Sequence, residues 1–115
     1  MDKAALADRI EQLTLELVAC RSVVGTADEI AMGTLIFRLL SEIPYWKQHP
    51  ELLTKQPFKN DPLGRFSVMA RLEGEKDDSK KTVIAIGHTD TVGISDYGDF
   101  KDLATKPEAL IEALK

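Results

Sequence analysis

Cysteine occurs once in this chain, at Cys20, and aromatic residues fill only 6% of its 115 positions. A lone thiol excludes an intrachain disulfide and any zinc cluster built from this chain's own thiolates, and it suits a reducing compartment. Positive charge is also scarce. Fifteen Lys and Arg stand against 19 Asp and Glu, a formal net charge of -4, and Lys80 and Lys81 make the sole adjacent basic pair. Phosphate backbones are held by clustered Lys and Arg, so nucleic acid is set aside as a partner. No apolar run nears the roughly 20 residues that cross a bilayer. The opening MDKAALADRIEQ carries acids and lacks the apolar core of a signal peptide. The expectation is a cytoplasmic protein with no membrane partner.

What is present is globular in character, 43% hydrophobic and 30% charged. The length suits one domain over residues 1–115, with a modest core. Leu6, Ile10, Leu13 and Leu17 lie at spacings of four, three and four, which predicts a core-facing helix from about Lys3 to Arg21. Cys20, in its last turn, reads as a small buried hydrophobe rather than a nucleophile, because no histidine lies near it to activate the thiol. Thr26 followed by Glu29 is a capping-box pattern that starts a second helix. Ile30, Leu35, Ile36, Leu39, Leu40 and Ile43 continue that helix until Pro44 stops it.

The segment YWKQHPELLTKQPFKNDPLG is punctuated by Pro50, Pro57 and Pro62 and is expected to be irregular, with at most a helical turn over 50–53. Tyr45 and Trp46 are expected to cover a core edge, and His49 to be a surface residue. The following RFSVMARLEG alternates, with Phe66, Val68, Ala70 and Leu72 on one face, and predicts a strand. A polar turn, GEKDDSKK, then leads to the apolar run TVIAI, Thr82 to Ile86, expected to pair with it as a hairpin and to be covered on both faces. A short closing helix is expected near Pro107, a residue that suits a first helical position.

The chemistry gathers where that apolar run ends, in GHTDTVG. On an extended backbone His88 and Asp90 share one side, while Thr89 takes the other. Two readings stand on spacing alone. In one, His88 caps the strand with a satisfied hydrogen bond and Asp90 opens a turn. In the other, the imidazole ligates a metal and the carboxylate fixes its tautomer, at the strand end where α/β folds place ligand crevices.

The arrangement LGRFSVMARLEG followed by KKTVIAIGHTDTVG resembles the N-terminal part of the zinc-dependent amidohydrolases that include aminoacylases, acetylornithine deacetylase, succinyl-diaminopimelate desuccinylase and carboxypeptidase G. The family motif Gly-His-x-Asp-x-Val is matched by Gly87, His88, Asp90 and Val92. A Gly-Arg pair, Gly64 and Arg65, opens the preceding strand, and Ser67 stands where an asparagine is usual. The stretches SVVGTADEI, LLSEIPYWKQHPELL, NDPLGR and GHTDTVGISDYGDFKDLA look like the subgroup named for arginine utilisation.

The resemblance implies an α/β fold, the N-terminal part of a phosphorylase/hydrolase-like three-layer metallopeptidase domain with helices packed on a mainly buried sheet. It implies His88 as a ligand of one zinc in a two-metal site, Asp90 as the catalytic-site carboxylate orienting it, and a small-molecule or peptide amide as substrate. The remaining ligands and the general base come later in that family, beyond the region that ends here at Lys115. The expectation is therefore an N-terminal fragment, inactive alone, of an enzyme hydrolysing peptides or N-acyl amino acids in amino-acid catabolism. Uncovered sheet makes homo-oligomerisation an expected substitute. The alternative expectation is a non-catalytic α/β module for oligomerisation or partner binding.

Overall fold

The computed structural model describes residues 2–75 and 81–115. Helix α1 runs over Lys3–Ala19, and the Asp2 carboxylate accepts from the Ala5 N–H at 2.7 Å, capping one orphan donor of its first turn. Its apolar stripe is only partly covered: Leu13 and Leu17 are half-buried, while Leu6 and Ile10 are exposed and no residue of α1 is buried. The expected core-facing helix is thus a loosely attached one. An exposed ion pair between Arg38 and Glu16 ties it to its neighbour.

Helix α2 spans Asp28–Ser41 and carries the buried Met32 and Gly33. Its start departs slightly from the expected capping box. The Thr26 hydroxyl accepts from the Asp28 N–H at 3.2 Å, and Glu29 reaches past Thr26 to accept from the Gly25 N–H at 2.6 Å. Pro44 does not merely end this helix; it opens a third, α3 over Pro44–Gln48, where its missing N–H costs no hydrogen bond.

The segment expected to be irregular also holds a strand. After a 3-10 turn over Pro50–Leu52 comes β1, Leu53–Pro57, paired antiparallel with β2, Phe66–Ala70, so that Leu53 faces Ala70 and Pro57 faces Phe66. The expected hairpin of β2 with the Thr82–Ile86 run is not found; β2 pairs instead with β1, which precedes it. The expected turn over 74–81 falls largely on residues 76–80, outside the described residues. The Thr82–Ile86 run forms no strand and has no ladder partners among the described residues, and Val83 and Ile86 are 93% and 92% exposed. The expected buried strand is therefore absent from this sheet. The physical reason is separation: β1 occupies one edge of β2, and a groove of about 490 Å³ lined by Met69, Leu72, Thr82 and Ile84 lies between β2 and the run, so no ladder joins them.

The class is α/β, with helices and a small two-stranded sheet. Its core is the contact of α2 with the hairpin, where Met32, Leu52 and Leu53 are buried. Gly33 permits that contact: a Cβ there would lie 3.0 Å from the Phe66 ring. Lys55 reaches over the rings of Phe37 and Phe66, 4.8 Å from each centroid. Tyr45 and Trp46 cover the hairpin's end as expected, the Trp46 indole donating to the Arg71 carbonyl at 3.0 Å and the Tyr45 hydroxyl accepting from the Glu73 N–H at 3.0 Å. A 3-10 stretch over Ser95–Leu103, kinked at Gly98 (φ 54°), leads to α4, Pro107–Ala113, with proline at its first turn as expected.

Candidate functional site

The segment carrying His88 and Asp90 is anchored by a short parallel bridge between Val23 and Thr91. The Thr91 N–H and hydroxyl both donate to the Ser22 carbonyl, at 2.7 and 3.1 Å, and the Val24 N–H donates to the Thr91 carbonyl at 2.9 Å. These bonds fix the backbone immediately after Asp90 against the turn that precedes α2.

There His88 and Asp90 come together. His88 Nδ1 lies 3.3 Å from Asp90 Oδ1 and 3.1 Å from the Asp90 carbonyl oxygen. Both oxygens are acceptors, so Nδ1 must carry the hydrogen, and in the neutral imidazole Nε2 keeps a free lone pair. The arrangement has the form of a carboxylate–histidine ligand unit. The His88 side chain is 85% exposed and that of Asp90 42%, so the pair stands at the rim of a cleft and not inside the core.

That cleft, about 550 Å³, is walled by Gly87–Asp90 on one side and by α2 and β2 on the other, with Glu29, Arg65, Phe66 and Ser67 on its lining. Arg65 holds the second wall together. Its Nε and Nη2 donate to the two oxygens of Asp61 at 3.0 and 2.8 Å, its backbone N–H donates to Asp61 Oδ2 at 2.7 Å, and Nη1 donates to Glu29 Oε1 at 2.9 Å. The guanidinium in turn holds the Asp61 carboxyl down at about 2.

Glu29 lines the same cleft as His88, and its Oε1 is engaged by Arg65 and by the Gly25 N–H. Among the described residues no three His, Cys, Asp or Glu side chains form a group able to hold a metal. Zinc takes about three protein ligands and a water, so the described donors do not make up a whole zinc site. They supply one oriented imidazole.

Ser67, read from sequence only as standing in a motif position, lines this cleft. Glu29 was legible as a helix-start residue, and its ion pair with Arg65 was not, because the partners lie 36 residues apart. Cys20 is half-buried, and burial, with the Asp28 carboxylate as a lesser cause, raises its thiol pKa. A thiol pushed upward is a poor nucleophile, which agrees with the packing role expected of it. His49 is exposed, with its ring 5.0 Å from that of Tyr45.

No family model and no solved structure matches the chain. Two curated proteins of Bacillus subtilis (strain 168) do: protein RocB, 39% identical over 106 residues, and the uncharacterized protein YqjN, 34% identical over 106 residues. Each alignment covers 92% of this chain but only 19% and 18% of the respective relative, so the chain spans about a fifth of the length of the curated relatives it matches. Over nearly all its residues, this α/β chain with its His88–Asp90 pair is similar in sequence to RocB.

Proposed function

We propose that this chain is one segment of a RocB-type, zinc-dependent amide hydrolase serving arginine and amino-acid utilisation, and that its part is to present His88 to the metal with Asp90 as the orienting carboxylate. The observation that carries the reading is the Nδ1 contact with Asp90 in the stretch GHTDTVG, which frees Nε2 for a metal. Likeness to RocB along most of the chain supports the arginine-utilisation part. Because the described donors do not complete a zinc site, no reaction step is assigned to these residues beyond ligation and orientation. The substrate would be a small molecule or peptide with a scissile amide.

The test is His88→Ala in the protein made from its complete gene, with bound zinc read by atomic absorption and hydrolysis read on a panel of N-acyl amino acids and dipeptides. Most zinc and most activity should be lost while the circular dichroism spectrum is kept. Retention of both would overturn the reading. One observation favours a second reading, a non-catalytic oligomerisation or partner-binding module: the exposure of Val83, Ile84 and Ile86.

A further inference from the structure

We infer that Arg65 is a positioning residue for the cleft that His88 and Asp90 border, acting by clamping the wall opposite them; the inference rests on the proposed function above. That wall is made by two elements far apart in sequence. Helix α2 brings Glu29 and Gly33, and β2 brings Phe66 and Ser67. Their mutual placement depends on two contacts. One is the close approach of Gly33 to the Phe66 ring. The other is the Arg65 fork, which grips Asp61 in the hairpin loop with one edge and Glu29 in the first turn of α2 with Nη1.

The fork is well placed for this work. The Arg65 side chain is 27% exposed, Glu29 16% and Asp61 6%, so the pairs are screened less than surface ion pairs are. Glu29 Oε1, which accepts from Arg65, also accepts from the Gly25 N–H at 2.6 Å, which ties the clamp to the turn ahead of α2. That turn also carries Ser22 and Val24, which bond to Thr91, the residue that follows the Gly87–Asp90 wall of the cleft. One hydrogen-bonded path thus runs from β2 through Arg65, Glu29 and the 22–25 turn to the segment bearing His88 and Asp90. Two opposed walls are held to one reference.

A lysine could not reproduce this. Its ammonium is a point charge without the planar fork that meets Asp61 with two donors while a third reaches Glu29. Arg65→Lys keeps the charge and most of the side-chain volume, and it removes the geometry. In the protein made from its complete gene, Arg65→Lys should bind the wild-type amount of zinc and melt within a few degrees of wild type. Its kcat/KM on the N-acyl amino acid and dipeptide panel should fall by roughly tenfold or more, as misplacement of a cleft wall predicts. Glu29→Gln, which keeps an acceptor for Gly25 but weakens the arm to Arg65, should shift kcat/KM in the same direction by less.

A merely structural Arg65 would lower the melting temperature and leave kcat and KM of the folded protein unchanged; that result overturns the inference. Should Arg65→Lys fail to fold, Glu29→Gln decides by the same split between kinetics and melting. Wild-type protein without hydrolysis on the panel, or His88→Ala with undiminished zinc, refutes the proposed function and this inference with it. Wild-type kinetics in Arg65→Lys refutes this inference alone.

Discussion

Asp61 accepts three hydrogen bonds from Arg65, and its carboxyl is held at about 2, below the ordinary value near 4. A carboxyl lowered in the folded state binds fewer protons there than in the unfolded state. It therefore adds stability that is complete above about pH 4 and is lost as pH falls from about 4 through about 2. Asp61→Asn should be less stable than wild type at neutral pH, and the gap in urea midpoint should close across that window. A gap unchanged at pH 2 would refute the assignment. At the neighbouring pair, Asp90→Asn tests orientation instead of ligation. If the carboxylate fixes the His88 tautomer, zinc affinity of the complete protein should fall about 10- to 100-fold, read by competition with a chromophoric chelator. An unchanged affinity would leave Asp90 as a turn residue. The contact between the two side chains was legible in the sequence, since residues two apart on an extended backbone share a side. The Arg65 fork was not, because no local pattern joins residues 29, 61 and 65.

Among the elements, α1, α2, β2 and α4 could be read from periodicity and end signals, and the three misreadings have identifiable causes. Strand β1, LTKQP, is five residues long, carries Lys55 and Gln56, and ends in proline, so it offers neither alternation nor β-branched enrichment. Tertiary contact makes it a strand: Leu53 is buried at the junction of the hairpin and α2. The run TVIAI has the composition of a buried strand and lacks a partner among the described residues, which composition cannot reveal. Pro44 was read as a stop where it serves equally as a start. These contacts rank the elements energetically. Leu53→Ala removes a buried side chain from the α2–hairpin contact and should cost about 2–5 kcal/mol in urea unfolding. Arg38→Ala breaks only the exposed pairs to Glu16 and Glu42 and should cost much less than Leu53→Ala. The reverse order would mean that α1, and not the hairpin, anchors the fold.

At the scale of the molecule the chain is open. Its radius of gyration is 17.4 Å, against about 13 Å for a compact chain of this length. Its accessible surface is 9380 Å², against about 6,300 Å² for a compact protein of this mass. Much of the excess is apolar and continuous with the site: Val83, Ile84 and Ile86 run exposed up to Gly87 and His88, and Val92 is 82% exposed just beyond Asp90. No helix among the described residues is long and apolar enough to cross a membrane, so a bilayer-spanning helix does not account for that surface. An exposed apolar run without ladder partners among the described residues is a surface suited to a partner. The 115-residue chain prepared by itself should therefore bind a hydrophobic dye strongly and elute as an aggregating, ill-defined species. Ile84→Lys should lower both tendencies by placing a charge on the run. The product of the complete gene should bind little dye, and its intact mass should lie far above 12.8 kDa. The module reading makes the opposite forecast, a sharp oligomer of the 115-residue chain that is silent to the dye, with Ile84→Lys breaking it into monomers. Dye binding and elution volume of these three samples separate the two, because only one reading lets the short chain cover its own apolar run.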